Sequence, residues 1–168
     1  MAERQFVIEP MQPGDAGRVL QIYAEGIATG DATFETAAPP WEHWDRSHLR
    51  KCRLVARMSG ELVGWAALSP VSDRCAYAGV AELSVYVAAA ARGKGVGGRL
   101  LADLVVASEA AGIWTLQAGI FPENVASIAI HRQNGFREVG RRERLGQLEG
   151  RWRDVVMLER RSGVVGAT

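Results

Sequence analysis

The sequence predicts a single α/β (α+β) domain, a mixed central sheet with helices on its flanks. Three observations carry that prediction. Short apolar runs rich in Val, Ile and Tyr alternate with amphipathic helical stretches along the chain. The 168 residues are 48% hydrophobic and 23% charged, ordinary for one globular domain with a core of its own. A β-type run ending at Val87 leads through a glycine-dense segment, Arg92–Gly98, straight into an amphipathic helix.

In chain order, Phe6-Val7-Ile8 is an apolar run stopped by Pro10, a first strand. Pro13-Gly14-Asp15 opens a helix with Asp15 as its cap, and Val19, Leu20, Ile22, Tyr23 and Ile27 follow at helical spacing. Gly26 and Gly30 close that helix and open a loop from Thr29 to Pro40. Trp41 to Lys51 reads as a short helix with a polar face. Leu54 to Ala56 and Leu62 to Leu68, joined by the Ser59-Gly60 turn, form a hairpin.

After a loop containing Pro70, the Val- and Tyr-rich run Tyr77 to Val87 is a long strand. The helix beyond the glycines runs to about Ala111 on a stripe of Leu100, Leu101, Leu104 and Val105, with Gly112 as its C-cap. Trp114 to Ile120 is a strand apolar enough to lie centrally. Pro122 breaks it, and a helix through Ser127, Ile128, Ile130 and His131 ends at Asn134-Gly135. Three strands finish the fold: Phe136 to Gly140, Arg144 to Leu148 and Arg151 to Leu158. The domain is expected over residues 1–161, with 162–168 as a loose tail.

Composition excludes several functions. A net charge of +1 argues against a surface built to grip nucleic acid or anionic membrane. Cys52 and Cys75 show no metal spacing and read as free thiols, and no metal cluster is expected; His43 and His48 fall on a polar helix and read as solvated. The first residues have no apolar signal core, and no run approaches the ~20 apolar residues that span a bilayer. A cytoplasmic address is the default.

Four glycines between Gly93 and Gly98 cost backbone entropy, so they imply bare N–H groups brought close to something large and anionic. The following helix adds the positive end of its dipole at the same spot, which makes a phosphate cradle. A P-loop is ruled out, because Lys94 is followed by Gly95 and no metal-binding hydroxyl. Gly93-x-Gly95-x-x-Gly98 satisfies the dinucleotide fingerprint, but it lies past mid-chain and no acidic residue ends the next strand at Ile120.

The third reading rests on two segments. Arg92-x-x-Gly95-x-Gly97 between strand and helix, and Asn124-x-x-Ser127-x-x-x-His131 followed by Asn134-Gly135-Phe136, resemble the two cofactor segments of the GNAT superfamily of N-acetyltransferases. Within it, Ala81-Glu82-Leu83-Ser84-Val85-Tyr86-Val87, Ser127 to His131 and Gly150-Arg151-Trp152-Arg153-Asp154 resemble the phosphinothricin and methionine sulfone/sulfoximine N-acetyltransferases. That resemblance implies a sheet splayed at the cofactor site, acetyl-CoA as co-substrate, a homodimer joined near the terminal strands, and a resistance or detoxification role.

It also implies roles for residues. The pyrophosphate would lie on Arg92-Gly93-Lys94-Gly95-Val96-Gly97-Gly98, and the pantetheine amides on Val85, Tyr86 and Val87. Asn124 would bind the arm from across the cleft, beside Ser127, although Asn124 also suits an N-cap and Ser127 simple capping. Glu82 matches the family's general base; a carboxylate among apolar neighbours is costly unless used or paired. His131 matches a histidine that either meets the cofactor sulfur or is structural, and Tyr86 is a second acid candidate. Phe34, Arg74, Tyr77 and Trp152 are the candidates for the acceptor, with Arg74 suited to a carboxylate. Ala78, Leu83 and Ser72 depart from the subfamily pattern. The expected reaction is direct attack by the primary amine of a small amino-acid-like acceptor in a ternary complex. Other amines (a polyamine, an aminoglycoside, a protein N-terminus), a silent acyl-CoA-binding module, and nucleic-acid binding through Arg141, Arg142, Arg144, Arg151 and Arg153 are the competing readings.

Overall fold

The computed structural model describes residues 5–166. One seven-stranded sheet runs in the order β1-β2-β3-β4-β5-β7-β6. Its strands are β1 (Val7–Pro10), β2 (Leu54–Met58), β3 (Glu61–Pro70), β4 (Val80–Val87), β5 (Thr115–Ile120), β6 (Arg137–Leu148) and β7 (Arg151–Arg161). Helices α1 (Ala16–Ile27), α2 (Trp41–Ser47), α3 (Val96–Ala110) and α4 (Val125–Gln133) flank it. All pairs are antiparallel except β4 with β5.

That parallel pair positions everything functional. β4 and β5 stay in register at Val80↔Thr115, Ala81↔Leu116 and Glu82↔Gln117, and then they part. β4 continues to Val87 bonded only to β3, while β5 continues to Ile120 bonded only to β7. The sheet is therefore forked, and Glu82 stands at the crotch of the fork. Each arm beyond it carries an unpaired row of backbone N–H and C=O groups.

The two faces are covered differently. Val96 and Leu100 of α3 press on Gly64 of β3, which has room for no side chain there: a Cβ would sit 3.0 Å from Leu100 and 3.1 Å from the Tyr86 carbonyl. On the opposite face the fully buried Trp44 and Trp65 meet edge to face at 5.3 Å, and Trp65 stacks on Tyr86 at 4.9 Å. Gly26 lies inside α1 and does not end it; a Cβ there would stand 2.6 Å from the Tyr86 ring, so the glycine serves close approach.

Other expectations are corrected. Asp15 belongs to a 3-10 turn, and its carboxylate accepts from the Gln12 N–H and from Arg57 instead of capping α1. α2 ends at Ser47, four residues early, because His48 turns extended. β4 starts at Val80; Cys75–Tyr77 form a 3-10 turn ahead of it. The two strands expected between residues 136 and 148 are one strand, β6, with an irregularity between Arg142 and Gly146 where Arg144 takes φ 49°. The start of the expected tail is tied down: Ser162 is buried and its hydroxyl donates to Glu109 at 2.9 Å, and Gly166 lies against Trp114, while Val164 between them is exposed. The rest of that tail, and residues 1–4, lie outside the described residues. Both cysteines are free thiols, Cys52 half-buried and Cys75 exposed.

Candidate active site

A cleft of about 1180 Å³ opens at the fork, walled by both arms, by the loop after α1 and by the starts of α3 and α4. It gathers Phe34, Glu82, Val85, Tyr86, Val87, Arg92, Gly93, Gly95, Val96, Gly97, Gly98, Asn124, Ser127 and His131 in one wall. Lys94 is exposed on the loop but outside that wall.

The glycine loop has a local reason for its composition. Gly93 and Gly95 take φ of 76° and 82°, a left-handed backbone that other residues adopt at a cost. Gly95 is the N-cap of α3 and offers no side chain to it. The first N–H groups of α3 thus have no partner inside the helix, and they meet the cleft at Val96, Gly97 and Gly98. Gly97 faces Ile130 of α4 and Val87 of β4 at ordinary contact distance.

Glu82 is exposed in the cleft, not buried among apolar neighbours as the sequence suggested. Gln117, its register partner on β5, donates an amide N–H to Oε2 at 3.2 Å. Its other oxygen makes no hydrogen bond among the described residues, so it is open to a ligand.

His131 is the opposite case, 3% exposed. Its Nδ1 lies 2.7 Å from the Ser127 carbonyl, an acceptor only, so Nδ1 carries the proton. Nε2 then presents a lone pair, and it is buried without a partner. Burial also pushes the imidazole below its usual pKa, more than the Ser127 contact raises it. His131 is a neutral proton acceptor in the cleft wall, its ring held edge-on to Phe136 at 5.0 Å.

Tyr86 is a poor acid. Burial first, then Tyr23 nearby, pushes its phenol well above the ordinary value, although the Thr33 hydroxyl lowers it. Asn124 caps α4, accepting from the Ser127 N–H at 3.3 Å, and its Nδ2 donates to the Asp31 carbonyl at 3.3 Å. Its amide oxygen and one N–H thus join α4 to the loop after α1.

Only one of the four expected acceptor residues reaches the cleft. Phe34 does, meeting Phe121 edge to face at 4.9 Å. Arg74 and Tyr77 sit together on the exposed segment before β4, the guanidinium 5.9 Å from the ring, outside the cleft wall. Trp152 is 58% exposed on β7 and also outside it. In their place the wall contains Thr33, Glu35, His48, Ser69 and Arg142. His48 is half-buried there, not solvated. Arg142 was hidden because the irregularity in β6 breaks the alternation that assigns faces.

Arg153, which the sequence places in the subfamily segment and in the arginine cluster, has a role neither reading gave it. It is 7% exposed, donates to the Gly30 carbonyl and Asp31 at 2.7 Å and to Glu123 at 3.3 Å, and lies 4.1 Å over Phe121. It straps the loop after α1 to the start of α4. Arg141 pairs with Asp154 at 2.7 Å. Two of the five clustered arginines are therefore internal ties, which removes the continuous basic strip that a nucleic-acid surface needs.

Among the described residues no group of metal-ligating side chains occurs, and no helix is long and apolar enough to cross a membrane.

Comparison with known proteins gives the same picture. The sequence profile of the acetyltransferase (GNAT) family matches residues 20–136. The chain is 41% identical over 161 residues to a phosphinothricin N-acetyltransferase of Streptomyces coelicolor, covering 91% of this chain and 94% of that one. Among solved structures it resembles a GNAT superfamily phosphinothricin acetyltransferase of Sinorhizobium meliloti in complex with AcCoA. The TM-score is 0.87 and the identity 30%, over 98% of this chain and 92% of the other. It also resembles a ribosomal-protein-alanine N-acetyltransferase of Brucella melitensis, with a TM-score of 0.86 and 34% identity over 93% and 99% of the two chains.

Proposed function

The chain belongs to the acetyltransferase (GNAT) family, and within it we propose that the acceptor is a small amino-acid-like amine of the phosphinothricin, methionine sulfone or methionine sulfoximine type. The chain is an N-acetyltransferase that uses acetyl-CoA. The bound coenzyme supplies an acetyl thioester activated for attack. Its requirements fit this chain: the uncapped start of α3 suits a pyrophosphate, and the free edge of β4 from Leu83 to Val87 suits the amides of an extended arm.

The fork at Glu82 carries the proposal. It puts an open carboxylate at the point where the free strand edge begins, so proton removal and acyl positioning share one place. Glu82 takes the proton of the acceptor ammonium, and a backbone N–H near Val85 supports charge developing on the thioester oxygen. As the tetrahedral adduct collapses and its C–S bond breaks, the nitrogen sheds a second proton; His131, unprotonated at Nε2, takes that proton and passes it to the departing sulfur. Phe34 and Phe121 supply an apolar wall, and Arg142 supplies a cation for a carboxylate. Neither cysteine lies in the cleft wall, which supports direct transfer in a ternary complex.

We infer further that the chain acts in the cytoplasm as a homodimer through β6 and β7. β6 is the sheet's edge, almost wholly exposed, and Val139, Leu145 and Trp152 stand 54%, 48% and 58% exposed on that hairpin. Sedimentation that gives a monomer at micromolar concentration would remove the dimer. The reaction is tested by thiol release from acetyl-CoA across a panel of methionine sulfone, methionine sulfoximine, phosphinothricin, spermidine and an N-terminal alanine peptide. Release is expected with the amino acids, and release confined to the peptide or spermidine would overturn the acceptor.

A further inference from the structure

Helix α2 is short, yet its last turn is firmly braced. Arg53 donates to the carbonyls of Asp45, His48 and Leu49 at 2.9, 3.1 and 2.7 Å, and to the Asp45 carboxylate at 2.6 Å. The same guanidinium lies 5.1 Å over the Trp44 ring. Just beyond the helix, the Leu49 N–H donates to the Leu68 carbonyl at 2.7 Å, which pins the end of α2 to β3 beside Ser69.

What this bracing presents is His48. Its ring stacks on Trp44 at 4.0 Å, and Trp44 meets Trp65. Trp65 and Ser69 point to one face of β3, and across the register they stand opposite Tyr86 and Glu82. The imidazole therefore lies over the face that carries Glu82, and it walls the cleft together with Ser69 and Glu82.

The hydrogen bonds fix its tautomer. Nδ1 is 2.7 Å from the Trp44 carbonyl, which can only accept. The Ser47 hydroxyl, 3.3 Å from Nδ1, spends its own proton on that carbonyl at 3.0 Å, so Nδ1 is the donor. Burial holds the ring below the usual imidazole pKa, which keeps it neutral at pH 7. Nε2 makes no hydrogen bond among the described residues, and it is not among their sealed polar atoms.

We propose that His48 binds the acceptor amine: its unprotonated Nε2 accepts a hydrogen bond from a substrate N–H and turns the nitrogen lone pair while Glu82 removes the proton. This rests on the amine-acetylation reading above. Sulfone and phosphinate oxygens are acceptors themselves, so a lone pair at this place selects the nitrogen end of the substrate. Of the three ammonium hydrogens Glu82 removes one and His48 holds a second.

Two substitutions isolate the atom. His48→Asn keeps an N–H for the Trp44 carbonyl and deletes Nε2, whereas His48→Gln puts an amide oxygen near the Nε2 position. With an amine that the wild type acetylates, the Asn variant should raise the amine KM about tenfold or more at an unchanged acetyl-CoA KM. The Gln variant should recover most of that loss. An amine KM that stays put, or that rises in step with the acetyl-CoA KM, overturns the assignment. If the Asn variant does not fold, the ¹⁵N resonance of the wild-type ring decides. Saturating amine should shift His48 Nε2, and an unmoved resonance overturns the assignment equally. A wild type that acetylates no amine brings down the reading beneath and this inference with it; an unchanged KM in a working enzyme removes His48 alone.

Discussion

At Glu82 the carboxylate is open to the cleft, with Gln117 on one oxygen and no partner on the other among the described residues. Its leverage is place rather than burial. Glu82→Gln keeps the shape and the Gln117 contact, and it should lower kcat about 10²-fold or more with the acetyl-CoA KM intact. Steady-state thiol release at neutral pH checks this, and an unchanged kcat would take the base role away. At this scale the sequence was readable where spacing along one element decides a position, as for Glu82, Val85, Val87 and His131. It misled where a loop's path decides. Arg74 and Tyr77 precede β4 by only a few residues, yet they pack on each other outside the cleft. His48 left a faint signal, the Trp44-x-x-x-His48 spacing that stacks two rings on one helix face. Arg153 stood in a recognisable segment, but its tying role left no signal, because its partners Gly30, Asp31 and Glu123 lie far off in the chain.

Among the elements, α3 and its glycine entry show why composition alone is ambiguous. Gly95 is there for its φ of 82°, whereas Gly17 in α1 has a helical backbone and nothing within 4 Å of a Cβ. Gly95→Ala should cost about 1–2 kcal/mol through left-handed strain and weaken acetyl-CoA binding. Gly17→Ala should add roughly 0.5–1 kcal/mol and leave binding alone. Thermal melts and acetyl-CoA titration of the pair check this, and equal stability changes would contradict the backbone argument. Helix starts and turns followed their glycines and prolines well. The merged β6 did not, since the stretch between Arg142 and Gly146 is an irregularity absorbed within one long pairing with β7. Gly26 was misread as a terminator because glycine marks close approach as often as it marks an end, and only the Tyr86 ring above it tells the two apart.

For the whole molecule, the alternation of strands and helices foretold a mixed sheet with flanking helices, and the family motifs foretold its splay. What no local pattern held was the point of parting. β4 and β5 are separated in sequence by all of α3, and their register ends at Glu82↔Gln117. That fork makes one cleft in which donor and acceptor must be present together. Initial rates of thiol release, with acetyl-CoA and phosphinothricin or methionine sulfone varied against each other, test this most directly. Intersecting reciprocal plots are the predicted result, as two substrates in one cleft require; parallel lines, or no release above the amine-free background, would contradict the account.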